Sequence, residues 1–326
     1  EESHVDAYIN ATAQLATKPG NLKIVYTAMH GVGTETLCKV FTKAGFPTPI
    51  LVREQAEPDP DFPTVKFPNP EEPGAIDLSI ATAQRESADL VIANDPDADR
   101  CAAAVADKSG KWRMLRGDEV GALLGEYMAR RAPNKDVVMA NSIVSSSILS
   151  KIAAHYGISF TETLTGFKWL AKIPNLWFGY EEALGYAVDS HSVNDKDGIS
   201  AALVLAQLAT DLHREGKTLN DLLEEIWSRH GYHGTRQISV RTTSIAQIDQ
   251  LTISGAAASG DTFDVSVDDY SFTYTVTGSE GGIGGIRDAI VQRVNNTSGM
   301  KNIVSSSGGT NAGEILLTSK TAGEAF

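Results

Sequence analysis

The pattern of apolar positions changes character along the chain. Up to about residue 250, short continuous apolar runs alternate with helical spacing. Residues 22–26 form a β-type run, and Gly31-Val32-Gly33 leads into a helical pattern through Leu37, Val40 and Phe41. Pro47 and Pro49 close that unit. Residues 54–73 carry prolines at 58, 60, 63, 68, 70 and 73, which predicts a loop or extended segment, because proline fixes φ and lacks an amide donor. Ile76, Ile80 and Ala83 predict a helix, and residues 89–93 an apolar strand that empties into Asn94-Asp95-Pro96-Asp97-Ala98-Asp99-Arg100. A second series starts near Gly117. It has helical spacing from Val120 to Met128, a strand over 137–140, a further helix and strand, and an apolar run over 177–180 that meets Glu181-Glu182-Ala183-Leu184-Gly185. Helices are predicted over 198–213 and 219–229, the second beginning near Thr218 or Asn220, and a strand begins within 233–240. Alternating strands and helices, with strands that are apolar throughout, predict α/β layers.

Beyond residue 250 the period becomes two. Phe263, Val265 and Val267 alternate with polar residues, as do Phe272, Tyr274 and Val276, and Asp268-Asp269-Tyr270 between them predicts a β-hairpin. Residues 286–294 suit one helix, and 303–304 and 315–317 suit two more strands. Composition shifts at the same place. All 12 Pro, 4 Trp, 2 Cys and 7 His precede residue 250, whereas 12 of the 29 Gly fall in the last 76 residues. So abrupt a change predicts a domain boundary.

At 326 residues the chain suits two or three domains, and 42% hydrophobic content supports packed cores. The net charge of -13 argues against a nucleic-acid or anionic-membrane partner, which would select a basic face. A local Lys/Arg cluster can still take an anionic substrate. Cys38 and Cys101 alone cannot build a disulfide framework and fit a reducing, cytoplasmic setting. No apolar run of membrane-spanning length and no signal peptide is seen. The opening Glu1-Glu2-Ser3, without an initiating Met, suggests a processed or truncated piece.

Asp95, Asp97 and Asp99 are the sharpest chemical signal. Carboxylates at alternate positions past a buried strand can converge on a hard cation such as Mg²⁺. A solvated acidic turn is the plain alternative. An EF-hand does not fit, since its sixth position here is Arg100 and its twelfth is Ala106. Arg100 adds an anion-binding fork that a simple acidic turn does not need. Glu181 and Glu182, adjacent on a strand, point to opposite faces, so one at most faces a given pocket. Gly166 in Thr165-Gly166-Phe167-Lys168 can let backbone approach a ligand, with Lys168 as a point charge. Asp197 in Asp195-Lys196-Asp197-Gly198 reads as a helix N-cap. His30 lies beside a helix start and is either an anion contact or structural.

These strings occur in one order: residues 26–33, 94–100, 165–168, 179–185 and 195–199. Together they strongly resemble the α-D-phosphohexomutases, the phosphoglucomutase/phosphomannomutase family, with the 179–185 string nearest the phosphoglucomutase/phosphopentomutase branch. The resemblance covers about residues 1–250. It implies two layered α/β domains, at 1–117 with the metal loop and at 118–234 with the sugar loop, then the start of a fourth family domain at 235–250. Residues 251–326 resemble instead the β-rich repeat modules of large bacterial surface or phage-tail-like proteins, notably at residues 260–263 and 321–326, and make a small β-rich α+β module.

The resemblance further implies a Mg²⁺-dependent isomerase that moves a phosphoryl group within a sugar phosphate by way of a phosphoserine. Asp95, Asp97 and Asp99 would hold the Mg²⁺ and Arg100 would sit beside the transferring phosphate. Thr165, Gly166 and Glu181 would meet the sugar, Ala183 stands where many relatives have Ser, and Lys168, Lys196 and His30 would be further substrate contacts. No Thr-Ala-Ser-His-Asn-Pro-type string occurs, nor an Arg-x-Ser-Gly-Thr-Glu-Pro-like phosphate loop; Ser306-Ser307-Gly308-Gly309-Thr310 lacks the Arg. Two other readings stay open: a non-catalytic Mg²⁺ and sugar-phosphate binder, and a structural or adhesion protein dominated by its C-terminal module.

Overall fold

The computed structural model describes residues 2–235, 248–254, 258–267 and 270–320. The chain forms two compact units, 1–236 and 237–326. In the first unit, α1 (Glu2–Ala13) precedes a five-stranded sheet. Its strands are β1 (Ile24–Thr27), β2 (Ile50–Leu51), β3 (Leu90–Asn94), β4 (Cys101–Ala106) and β5 (Trp112–Met114), in the order β2-β1-β3-β4-β5. β2, β1 and β3 are parallel; β4 and β5 turn back antiparallel. The helices α2 (Gly33–Ala44) and α3 (Asp77–Glu86) connect the parallel strands. The proline-rich stretch contains one 3₁₀ turn, Arg53–Gln55, and otherwise only turns and bends.

The second half of this unit repeats the plan. α4 (Gly117–Arg130) leads to β6 (Val138–Ser142), α5 (Ile148–Tyr156), β7 (Ser159–Thr163), the short α6 (Phe167–Leu170), β8 (Leu176–Glu181) and β9 (Gly185–Ala187). The sheet order is β7-β6-β8-β9, with β7, β6 and β8 parallel and β9 antiparallel. α7 (Gly198–Arg214) and α8 (Leu219–His230) follow. α8 starts at Thr218, whose hydroxyl accepts from Asp221 N while Asp221 reaches back to Thr218 N, a capping box. One core joins both sheets: Val25, Ile92, Leu123, Leu149, Phe178 and Leu205 are all buried in it.

β3 is buried at every position, as a strand covered on both faces must be. β4 reads Cys-Ala-Ala-Ala-Val-Ala and has five buried positions. Its small side chains suit a central strand under packed helices, though alanine carries little strand preference of its own.

The second unit contains the antiparallel sheet β10-β14-β13, the hairpin β11-β12, and helices α9 (Ile283–Asn296) and α10 (Met300–Ile303). The strands are β10 (Ile248–Thr252), β11 (Thr262–Val267), β12 (Tyr270–Thr275), β13 (Val304–Gly308) and β14 (Glu314–Ser319). Tyr270 pairs with Val267 and so belongs to the hairpin's second strand, not its turn; Asp268 and Asp269 lie outside the described residues. Ile303, expected in a strand, ends a helical turn, because its strand begins only at Val304. The composition break at 250 falls inside β10, all of which pairs with β14. The expected strand over 233–240 and most of the 235–250 segment lie outside the described residues, as does the 321–326 string. Among the described residues, no helix is long and apolar enough to cross a membrane.

Candidate functional site

Each sheet of the first unit ends its parallel run in a reversing loop: 95–100 between β3 and β4, and 182–184 between β8 and β9. Both loops contain a non-glycine residue in the left-handed region, Ala98 at φ 61° and Leu184 at φ 68°. The loops meet edge to edge. Arg100 and Gly185 form an antiparallel bridge, and Cys101 N donates to the Leu184 carbonyl at 3.0 Å. Ligand sites in α/β sheets lie beyond the carboxyl ends of parallel strands, which is where these loops stand.

The first loop carries the acidic triad. One ligand oxygen from each of Asp95, Asp97 and Asp99 lies within 4.8 Å of the others, with Asp95 buried, Asp97 exposed and Asp99 between. Arg100 holds Asp95 twice: its N–H donates to Oδ1 at 2.9 Å and its Nε to Oδ2 at 2.5 Å. Lys196 reaches from the other loop system and places Nζ 2.5 Å from Asp99 Oδ2. Burial works against the Lys196 charge, but Asp99 outweighs it and raises the pKa of the ammonium. An all-carboxylate donor set with this convergence fits a hard divalent cation.

Glu181, at the end of β8, accepts from Gly166 N at 2.5 Å. Gly166 has φ 112°, a region only glycine enters at low cost, so the loop after β7 can turn its amide onto Glu181. Burial raises the Glu181 carboxyl above the ordinary carboxylate range, Glu182 adds to the rise, and Gly166 N–H and Lys196 oppose it. Glu182 points elsewhere: its Oε2 accepts from Ser142 and Ser145 at 3.2 and 3.1 Å. The two glutamates are thus separated as expected, but by the end of β8 and not by strand alternation, since Glu182 is the first residue of the reversing loop. Asp197 caps α7 through Ile199 N at 3.1 Å.

The remaining candidates are less central. His30 is buried, and its Nε2 lies 2.8 Å from Thr64 Oγ1; its neighbour Val32 donates to the Pro96 carbonyl in the acidic loop at 2.9 Å. Lys168 Nζ stands over the Trp169 ring at 5.8 Å. Thr165 and Ala183 are exposed on the loops beside Gly166 and Glu181. Two contributors, Tyr8 and Asn69, escaped the sequence reading, and Gly198 was read only as the start of a helix. Tyr8 donates to both Asp197 oxygens at 2.9 and 2.8 Å, Gly198 abuts the acidic loop, and Asn69 lies 3.4 Å from Arg100 Nη1. Asn69 lies in the proline-rich stretch and Tyr8 far upstream, so no local pattern marks either. A groove of 640 Å³ between α1 and α2, lined among others by Ile9, Cys38 and Thr42, contains none of these groups. The site is thus marked by converging charge.

Paired α/β layers, joined through one acidic and one glutamate-bearing loop, define the class of protein. The phosphoglucomutase/phosphomannomutase α/β/α domain II model matches residues 2–110, and the domain III model matches residues 116–230. The chain belongs to this family. A Haemophilus influenzae relative, a phosphomannomutase by name, is 50% identical over 248 residues, covering 76% of this chain and 51% of its own. Human phosphopentomutase is 43% identical over 232 residues, covering 66% of this chain and 38% of its own. The chain thus spans about half, or less, of the length of these relatives. In fold it resembles a phosphoglucomutase/phosphomannomutase family protein of Burkholderia thailandensis (TM-score 0.57, 13% identity, 97% of this chain and 60% of that one). It also resembles the phosphoglucomutase parafusin of Paramecium in its open form (TM-score 0.53, 18% identity, 96% and 55%).

Proposed function

We propose that the first unit is the metal- and sugar-binding part of a phosphosugar mutase, an isomerase that relocates a phosphoryl group between the 1-position and the terminal position of a hexose or pentose phosphate. The acidic loop falls in its 1–117 part and the sugar loop in its 118–234 part. The observation that carries the reading is the junction of the two loops, where Asp95, Asp99, Arg100 and Lys196 stand in one set of ion pairs, with the Asp97 carboxylate converging on the other two, beside Glu181.

Asp95, Asp97 and Asp99 would hold Mg²⁺. When bound, that ion supplies charge neutralisation beside a phosphoryl group, the main demand of phosphoryl transfer. Arg100 offers a planar fork for phosphate oxygens and Lys196 a second positive charge. Glu181 accepts from sugar hydroxyls, and Gly166, Thr165, Lys168 and Ala183 line its approach. His30 precedes Gly31 and Val32, whose backbone packs on Pro96 of the acidic loop. The family's phosphoserine string is not among these 326 residues, so this chain is tested by binding first.

Calorimetric titration with glucose 1-phosphate in Mg²⁺ is expected to show saturable binding that Asp97→Ala and Glu181→Gln each weaken at least about tenfold. No binding by the unaltered chain sinks the proposal. In a coupled assay with glucose 1-phosphate, its bisphosphate activator and Mg²⁺, the chain is expected to be inactive. Turnover that Asp97→Ala abolishes would mean that another residue here accepts the phosphoryl group.

A further inference from the structure

Helix α7 begins against the acidic loop of the other sheet. Gly198 N donates to the Ala98 carbonyl at 3.1 Å. A Cβ at 198 would lie 2.2 Å from the Arg100 carbonyl oxygen, 2.5 Å from Asn94 Nδ2 and 2.7 Å from the Ala98 carbonyl oxygen. Two of these atoms are backbone, so no rotamer change relieves the overlap. Gly198 opens a helix, so the requirement is for space.

The Arg100 carbonyl has a second constraint. Asn94 Nδ2 donates to it at 2.6 Å, while Asn94 Oδ1 accepts from the Tyr26 hydroxyl at 3.0 Å. The Arg100 carbonyl thus has both Asn94 Nδ2 and the bare Cα of Gly198 packed against it. Because Arg100 grips Asp95 through its own N–H and Nε, a shift of its backbone moves that carboxylate. Asp99 lies between the two carbonyls that Gly198 touches. Behind Gly198, Asp197 N donates to the Tyr186 carbonyl at 3.0 Å, and the Tyr8 hydroxyl fixes the Asp197 carboxylate.

We propose that Gly198 is a positioning residue for the acidic loop: its bare Cα lets the start of α7 seat on residues 98–100, and Tyr8, through Asp197, holds that seat. The spacing of Asp95, Asp97 and Asp99 is then set by the start of α7 as much as by β3. The inference rests on the reading of the triad as a cation site.

Mn²⁺ titration followed by water-proton relaxation tests it on the full chain, with no sugar present. The unaltered protein is expected to bind Mn²⁺. Gly198→Ala is expected to weaken binding at least about tenfold, the scale of outer-shell changes at metal sites. Tyr8→Phe is expected to weaken it roughly threefold, the equivalent of one hydrogen bond. Tyr127→Phe removes a buried hydroxyl outside this chain of contacts, which donates to Asp211 at 3.2 Å, and is expected to leave the affinity unchanged. A folded Gly198→Ala protein with undiminished affinity overturns the proposal, and so does an equal loss in Tyr8→Phe and Tyr127→Phe. If Gly198→Ala does not fold, the two tyrosine variants decide. Failure of the unaltered chain to bind Mn²⁺ removes the cation reading itself, and this inference with it.

Discussion

Asp95, Asp97 and Asp99 are chemically alike, yet their surroundings give them different duties. Asp95 is 2% exposed and takes two bonds from Arg100, whereas Asp97 is exposed. Asp97→Asn is therefore expected to abolish Mn²⁺ binding while leaving stability within about 0.5 kcal/mol, as for other surface changes. Asp95→Asn is expected to lose the ion and also to destabilise the fold by about 1–3 kcal/mol, because a charge-assisted pair is broken. Urea unfolding without metal separates the two, and equal stability loss in both would contradict the assignment. Glu126 shows a buried carboxylate of another kind. Its Oε1 accepts from Arg130 (3.1 and 2.9 Å), Arg229 (2.8 Å) and Tyr156 (2.7 Å). Burial opposes its charge, but these donors prevail and lower its pKa. Both arginines keep partial access to water, so Glu126→Ala is expected to cost about 2 kcal/mol, below the figure for a fully buried pair.

Elements with strong local signals were legible in the sequence. The apolar run of β3, the glycine-led start of α2 and the long patterns of α4, α7 and α8 all stand where expected. The edges were not. β4 is four-sixths alanine and was not anticipated as a strand; it becomes one because β3 and β5 flank it and helices cover it. β9 has three residues, too few for a period to show. Yet β4 and β9 are the returning strands that bring Arg100 and Gly185 together, so the triad was readable while the two strands that carry it to the glutamate loop were not. The start of α8, open between Thr218 and Asn220, is decided by hydrogen bonding at Thr218. Thr218→Ala is expected to lower stability by about 1 kcal/mol. An unchanged urea midpoint would show that the cap adds nothing to α8.

Across the whole molecule, acid stability follows from groups packed around α8. Burial, then Arg229, depresses the His230 pKa; Glu126 opposes this, and His155 and His233 add to it. The folded state thus binds the His230 proton less readily than the unfolded chain does. Its contribution is present above the unfolded value of about 6.5 and is lost as pH falls through the folded value. Glu119 and Glu126, also lowered, add a second loss below about 4.5. Urea unfolding at pH 7.5, 5.5 and 4 is expected to show both steps, and His230→Gln to flatten only the first. A further expectation follows from the cores. One apolar cluster draws only on residues up to 226, while Val267, Ile290, Val294 and Leu317 belong to another drawn only from the second unit. Each unit thus contains its own driving force for folding. Thr235 must stay with the first unit, because its hydroxyl donates to Asp118 and its carbonyl accepts from Arg116 at 2.8 Å. Residues 1–236 expressed alone are therefore expected to unfold cooperatively and to keep the Mn²⁺ affinity of the full chain. A molten product, or a lost Mn²⁺ site, would mean that the boundary between residues 236 and 237 does not separate independent folding units.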